Sequence, residues 1–251
     1  MKIVIVGGGT SGLVTAAMMY NFWGDKVNIS LIYDPNTKTI GVGEGTTPSF
    51  IDVFRDVLGY ETEDSIRNLD ATIKLGVLFK NWIPDEEYYH GFGQVVCDRT
   101  GKQNDDLSDN ISCIHSLLND SYNGGANWNE PSTVIPNKLT DYHYAFHITT
   151  DKLSEFLFNY LKDKITLIPD KIVTITSDGE NIQSITGENT GNYHADLFVD
   201  ATGFDPILMK ELNNEWVDLS QWLPIDSAIP QKVNNNTNTI PTYTLAEATK
   251  N

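Results

Sequence analysis

An α/β fold built on a parallel sheet is what this 251-residue sequence predicts, and three observations predict it. Four apolar β-formers, Ile3 to Val6, run straight into a glycine-rich turn. An Ala- and Met-rich segment takes up helical spacing from Ser11. Late in the chain a continuous apolar run, Leu197-Phe198-Val199, ends at Asp200-Ala201-Thr202-Gly203. A run without alternation is the pattern of a parallel strand buried on both faces, and strand, tight turn and helix in that order begin a parallel crossover.

In the opening turn, Gly7, Gly9 and Gly12 fill a G-x-G-x-x-G frame with Gly8, Thr10 and Ser11 between them. The first glycine allows the turn, the second lets backbone approach a pyrophosphate, and the third lets helix and strand pack closely. The helix N-terminus then offers free N–H groups and a positive dipole to an anion. A bound dinucleotide is the expectation. The helix ends near Gly24-Asp25, and Val27 to Tyr33 alternates as the second strand of a β-α-β unit of about 30 residues. Asp34 follows. It has two readings: the acid that contacts ribose hydroxyls, or the first residue of an Asp-Pro-Asn turn.

Gly41 to Pro48 reads GVGEGTTP, with Gly43, Glu44, Gly45 and Thr46 at its centre. Such a loop brings backbone close to something flat or anionic, with Glu44 as its one buriable acid; a plain surface loop is the alternative. Pro48 opens a helix whose Phe50, Ile51, Phe54, Val57 and Leu58 form a core stripe, and Gly59 is its stop signal. Ala71 to Trp82 alternates as a strand, with Lys74, Gly76, Leu78 and Lys80 on one face. Taken by itself, Lys74 is a solvated strand lysine.

From Asp85 to Asp141 the chain is polar and rich in Gly, Asn and Asp, and reads as an insertion of loops and short strands in which His90 is structural. His147 leads into a helix capped by Thr149 or Thr150, with Leu153, Phe156, Leu157, Tyr160 and Leu161 buried; helix-entry packing explains His143 and His147 without a metal. From Ile165 the pattern turns to β: ITLI, KIVTIT, an Asp178-Gly179 turn, NIQSIT, a Gly-Asn turn, and then the Leu197 run. After Asn213 regularity fades, and the sequence reaches Asn251 without a closing element.

Composition sets the limits. With 17 Lys and Arg against 34 Asp and Glu, the net charge of −17 opposes nucleic-acid phosphate and anionic membrane surfaces. Cys97 and Cys113 form no C-x-x-C frame, so neither a metal site nor a disulfide framework is expected. The N-terminal apolar run is four residues long and broken by glycines, the pattern of neither a signal peptide nor a membrane span, and the expected compartment is the cytoplasm.

Several of these stretches together resemble one family, the flavin-dependent tryptophan halogenases. GGGTSG at 7–12 is similar to the family's flavin fingerprint, GVGEGTTPS at 41–49 to its G-x-G-E-x-T-x-P loop, and KLGVLFKNW at 74–82 to its lysine-bearing strand. FHITTDKLSEFL at 146–157 and ADLFVDATGF at 195–204 resemble two further blocks in the right order. The resemblance implies a Rossmann-like FAD-binding fold of the monooxygenase type over residues 1–212, with the insertion at about 85–141, and residues 213–251 leading toward a substrate domain that is missing. It implies FAD as cofactor, reduced by a separate flavin reductase, with halide as co-substrate and an indole or tryptophan-like ring as substrate. The cofactor residues would be Gly7 to Gly12, Asp34, Gly43 to Thr46 and Gly203. Lys74 would be the catalytic lysine that holds or relays the electrophilic halogen. Leu13 and Tyr33 depart from the family pattern, and its Trp-x-Trp-x-x-Pro motif would begin just past Asn251. The resemblance therefore covers the N-terminal half of such an enzyme, a separate chain being one source of the rest. An FAD-binding remnant without turnover and another flavin monooxygenase are the competing readings.

Overall fold

The computed structural model describes residues 1–37, 43–74, 76–92, 144–215, 217–231, 241 and 243–249. In chain order the elements are β1 (Lys2–Val6), α1 (Thr10–Trp23), β2 (Asn28–Tyr33), β3 (Gly43–Gly45), α2 (Pro48–Asp52), α3 (Thr62–Leu69), β4 (Thr72–Lys74), β5 (Gly76–Lys80) and β6 (Glu87–Gly91). There follow β7 (Ala145–Thr149), α4 (Thr150–Leu161), β8 (Thr166–Pro169), β9 (Ile172–Ser177), β10 (Ile182–Gly187), β11 (Gly191–Tyr193), β12 (Leu197–Asp200) and β13 (Tyr243–Glu247). They fall into two compact units, each made of two separate stretches: Met1–Val42 with Thr150–Val233, and Gly43–Thr149 with Asn234–Asn251.

The first unit holds the parallel sheet expected from the sequence, in the order β12-β1-β2-β8. Strand alternation divides its apolar residues between two faces. Val4, Val6 and Ile32 join Ile185 and Leu208 in a core on one side. The other face carries the buried Ile3, Ile5 and Leu31, and α1, which presents Leu13, Ala16 and Ala17, packs on β1, β2 and α4. Small residues on α1 let the helices come close: Asn21 Nδ2 donates to Tyr160 Oη at 2.7 Å. The Leu197 run is less buried than its apolar pattern suggested, with Leu197 itself 38% exposed, because β12 is an edge of the described sheet with β1 its only strand partner there.

A three-stranded antiparallel sheet, β11-β10-β9, completes this unit. The turn between β10 and β11 is fastened by Asp170, a buried carboxylate just after β8. Asp170 accepts from the backbone N–H of Lys171 at 2.8 Å, of Asn189 at 3.2 Å and of Thr190 at 2.9 Å, and from the Thr190 hydroxyl. Gly191-Asn192, expected as a turn, opens β11 instead, and the reversal falls one step earlier at Glu188–Thr190.

Among its described residues the second unit contains two three-stranded sheets, β3-β7-β4 and β13-β5-β6. The helix that begins at Pro48 widens to π geometry over Val53–Val57, with Leu58 N donating to Val53 O, and stops at Gly59, whose φ is +75°. Ile51, Phe54 and Leu58 bury its stripe as expected. The strand expected over Ala71–Trp82 is two strands. β4 pairs with β7 and β5 pairs with β6 and β13, so Lys74 and Lys80 belong to different sheets. The described residues of the irregular stretch expected after Asn213 include a strand, β13, parallel to β5 from Tyr243 opposite Gly76 to Glu247 opposite Lys80. Cys97, Cys113, His115 and His143 lie outside the described residues, as does most of the insertion.

Candidate functional site: a phosphate cradle and a sequestered lysine

The first unit places Gly7 to Gly12 between the carboxyl end of β1 and the start of α1. Gly7 has φ +119°, and a Cβ there would collide with the carbonyl of Ala201 at the end of β12. A Cβ on Gly8 would stand 2.6 Å from Cβ of Tyr33, and one on Gly12 would strike the Gly7 carbonyl. Three of the glycines are thus needed by the fold itself. Gly9 differs, for a Cβ there would meet nothing within 4 Å. Gly9 is also the N-cap of α1, with no side-chain cap and no acid in the first turn, so the N–H groups of Thr10 and Ser11 remain for an outside acceptor. A dinucleotide pyrophosphate fits these residues: open room at one glycine, uncapped donors and a favourable dipole.

Gly203 ends the returning strand with φ +89°. The preceding turn is locked by Asp200, which accepts from Thr202 Oγ1 at 2.6 Å and from the N–H groups of Leu208 at 2.7 Å and Met209 at 3.0 Å. Asp34 stands at the end of β2, where its Oδ1 accepts from Asn36 N at 2.8 Å. The turn reading of Asp34 describes that oxygen.

The second unit places Gly43, Glu44 and Gly45 in β3, opposite Thr149, Ile148 and His147 of β7. Glu44 is exposed on this short edge strand, as the surface-loop reading of the stretch allows. Thr46 extends the ladder by one residue. Its N–H donates to Phe146 O at 2.7 Å, and its Oγ1 accepts from Phe146 N at 2.9 Å. The Thr46 carbonyl is left for Lys74, whose Nζ donates to it at 3.1 Å.

Lys74 is 6% exposed, which overturns the solvated reading. Its Nζ also stands 5.4 Å from the centre of the Phe92 ring. Both of these partners are neutral, so among the described residues an ammonium here gives up water without gaining a carboxylate, and burial pushes its pKa below that of an ordinary lysine. Gly45 makes the room. A Cβ there would lie 2.8 Å from Lys74 Nζ and 3.0 Å from Thr244 Oγ1. His147 Nε2 lies 3.0 Å from the same Thr244 hydroxyl. Burial, and then the charge of Lys74, push the His147 pKa down. Sequence reasoning assigned His147 to helix packing and passed over Thr244, for only strand register brings them to Lys74. Among the described residues no cluster of three or more His, Cys, Asp and Glu could hold a metal, and no helix is long and apolar enough to cross a membrane.

Fold and site define a dinucleotide-binding α/β protein that also carries a sequestered lysine beneath a glycine–threonine loop. The family model for tryptophan halogenase matches residues 2–251, and the chain belongs to that family. It is 30% identical to the tryptophan 6-halogenase SttH of Streptomyces toxytricini over 98% of this chain and 53% of that protein. It is 28% identical to the tryptophan 7-halogenase RebH of Lentzea aerocolonigenes, covering 99% of this chain and 52% of RebH. The crystal structure of SttH superposes with a TM-score of 0.78 at 29% identity, over 99% of this chain and 53% of the other. Tar14, a tryptophan C-6 flavin-dependent halogenase, also gives 0.78, at 28% identity, over 99% and 52%. The chain spans about half the length of these relatives.

Proposed function

We propose that this chain is the FAD-binding part of a flavin-dependent halogenase that acts on an electron-rich aromatic ring, an indole or tryptophan. The observation that carries the reading is the Lys74 amine, withdrawn from water and held on the Thr46 carbonyl in a chain of the tryptophan halogenase family. Gly7, Gly8, Gly9, Thr10, Ser11 and Gly12 cradle the FAD pyrophosphate in this reading, with Asp34 toward the ribose, Gly203 beside the dinucleotide and Gly43, Glu44, Gly45 and Thr46 bordering the flavin. The FAD-binding region is residues 1–212, and 213–251 lead toward the substrate-binding part, carried by further sequence or by a separate chain. A flavin reductase supplies the electrons, and the protein works in the cytoplasm.

Bound flavin, once reduced, supplies with dioxygen the oxidising power that converts halide to an electrophilic halogen. Lys74 then acts at Nζ. As an ammonium it donates a hydrogen bond to hypohalous acid. As a neutral amine its lone pair takes the halogen, and the departing hydroxide leaves as water with one Nζ proton. Burial lowers the Lys74 pKa and so favours the neutral form more than in an ordinary lysine.

The test is titration of the 251-residue chain with FAD, followed by quenching of flavin fluorescence. Saturable quenching is expected, and Gly9→Glu abolishes it without unfolding the protein, because the position is open on the protein side. A saturable response to NADH with none to FAD overturns the reading.

A further inference from the structure

Residues paired across neighbouring strands point to the same face of a sheet, and diagonal neighbours on that face are within reach of long side chains. In the sheet β3-β7-β4, Lys74 pairs with Ala145, while His147 pairs with Gly45 on one side and Thr72 on the other. Lys74, Ala145, His147, Thr72 and Gly45 therefore share one face, and Phe146 and Ile148, both buried, take the opposite one. On the shared face Gly45 has no side chain. Lys74 Nζ and Thr244 Oγ1 both crowd the point its Cβ would occupy, and His147 Nε2 holds that Oγ1 at 3.0 Å.

We propose that His147 is a positioning residue for the Lys74 amine: it anchors the Thr244 hydroxyl of β13 against Gly45, and so walls Nζ onto the Thr46 carbonyl. The assignment rests on Lys74 being the working lysine. An ammonium favours oxygen lone pairs turned toward it, so the Thr244 O–H points away, to an accepting Nε2 on a neutral imidazole. Histidine suits the place because it supplies that acceptor at the end of a rigid ring while staying uncharged beside a cation. The same pair joins the two sheets of this unit, since His147 belongs to β7 and Thr244 to β13.

The experiment reads the amine directly in the 251-residue chain. Lysines are reductively methylated with formaldehyde and cyanoborohydride over a pH series, each site is quantified by peptide mass spectrometry, and rates are extrapolated to the neutral amine. The exposed Lys80 serves as the internal reference. His147→Phe fills the space without an acceptor, Thr244→Val removes the hydroxyl, and His147→Gln keeps a polar group that can bond it. Phe and Val each speed Lys74 methylation about tenfold, the effect of losing roughly one hydrogen bond, and the double variant goes no further than either alone. Gln stays near the parent rate. A Phe variant as slow as the parent, or additive Phe and Val effects, overturns the proposal, and if the Phe variant does not fold, an unchanged rate in Thr244→Val does so alone. Either failure leaves the FAD titration untouched, because that titration does not read His147.

Discussion

Two lysines of one alternating sequence segment behave differently once folded. Lys80 stands 44% exposed, 3.8 Å from Glu247, a surface pair of little consequence for stability. Lys74 is buried on a carbonyl and an aromatic ring. Lys74→Ala is therefore expected to lower the unfolding free energy by about 1 kcal/mol, the worth of one lost hydrogen bond, against less than about 0.5 kcal/mol for Lys80→Ala, as read from urea midpoints of the two variants. On the proposed function, Lys74→Ala in a halogenating protein that contains this chain is expected to lower halogenation by orders of magnitude, and Lys74→Arg is expected not to restore it, since a guanidinium keeps its proton. Equal losses at the two lysines would contradict this. The burial of Lys74 was not legible from its own residue type or spacing, because its cause lies in Gly45, Thr46 and Thr244, brought to it only by strand register.

Elements whose cause is local were the legible ones. The strand–turn–helix of β1 and α1, the stop at Gly59 and the stripe of α4 each follow from apolar period or glycine placement within a dozen residues or so. Elements whose cause is distant were not: the break between β4 and β5 and the strand β13 exist because of partners elsewhere in the chain. Asp170 is another such case, one carboxylate fastening the turn between β10 and β11 from outside it. Its hydrogen bonds, the Thr190 hydroxyl foremost, hold its pKa down to about 2. The folded pKa is thus below the unfolded value of about 4, so the stabilisation is fully present above that value and drains away as pH falls toward 2. Asp170→Asn removes this contribution. Urea midpoints of parent and variant are expected to differ at neutral pH and to converge on acidification through that window; a gap independent of pH would mean that the charge plays no part.

At the scale of the molecule, the chain carries a phosphate cradle and a sequestered lysine and spans about half the length of its relatives. Effective catalysis needs every member of a constellation held in place, and a partial set loses most of its rate. Supplied with a flavin reductase, bromide, oxygen and a panel of indoles, the 251-residue chain alone is expected to give no halogenated product above a flavin-only control by mass spectrometry. Product above that control would place the whole working site within these residues. One feature of the second unit bears on how the protein is made. The bond from Trp82 Nε1 to Ala246 O, at 3.0 Å, joins residues 164 apart in sequence, and β13 supplies both that acceptor and Thr244. A nascent chain leaving the ribosome holds Lys74 long before it holds the wall around it, and until Tyr243–Glu247 emerge β5 presents an uncovered edge open to pairing with a neighbour. The Lys74 amine consequently acquires this part of its surroundings only once β13 has been made, and a chain released before that strand emerges would carry the lysine without its shelter.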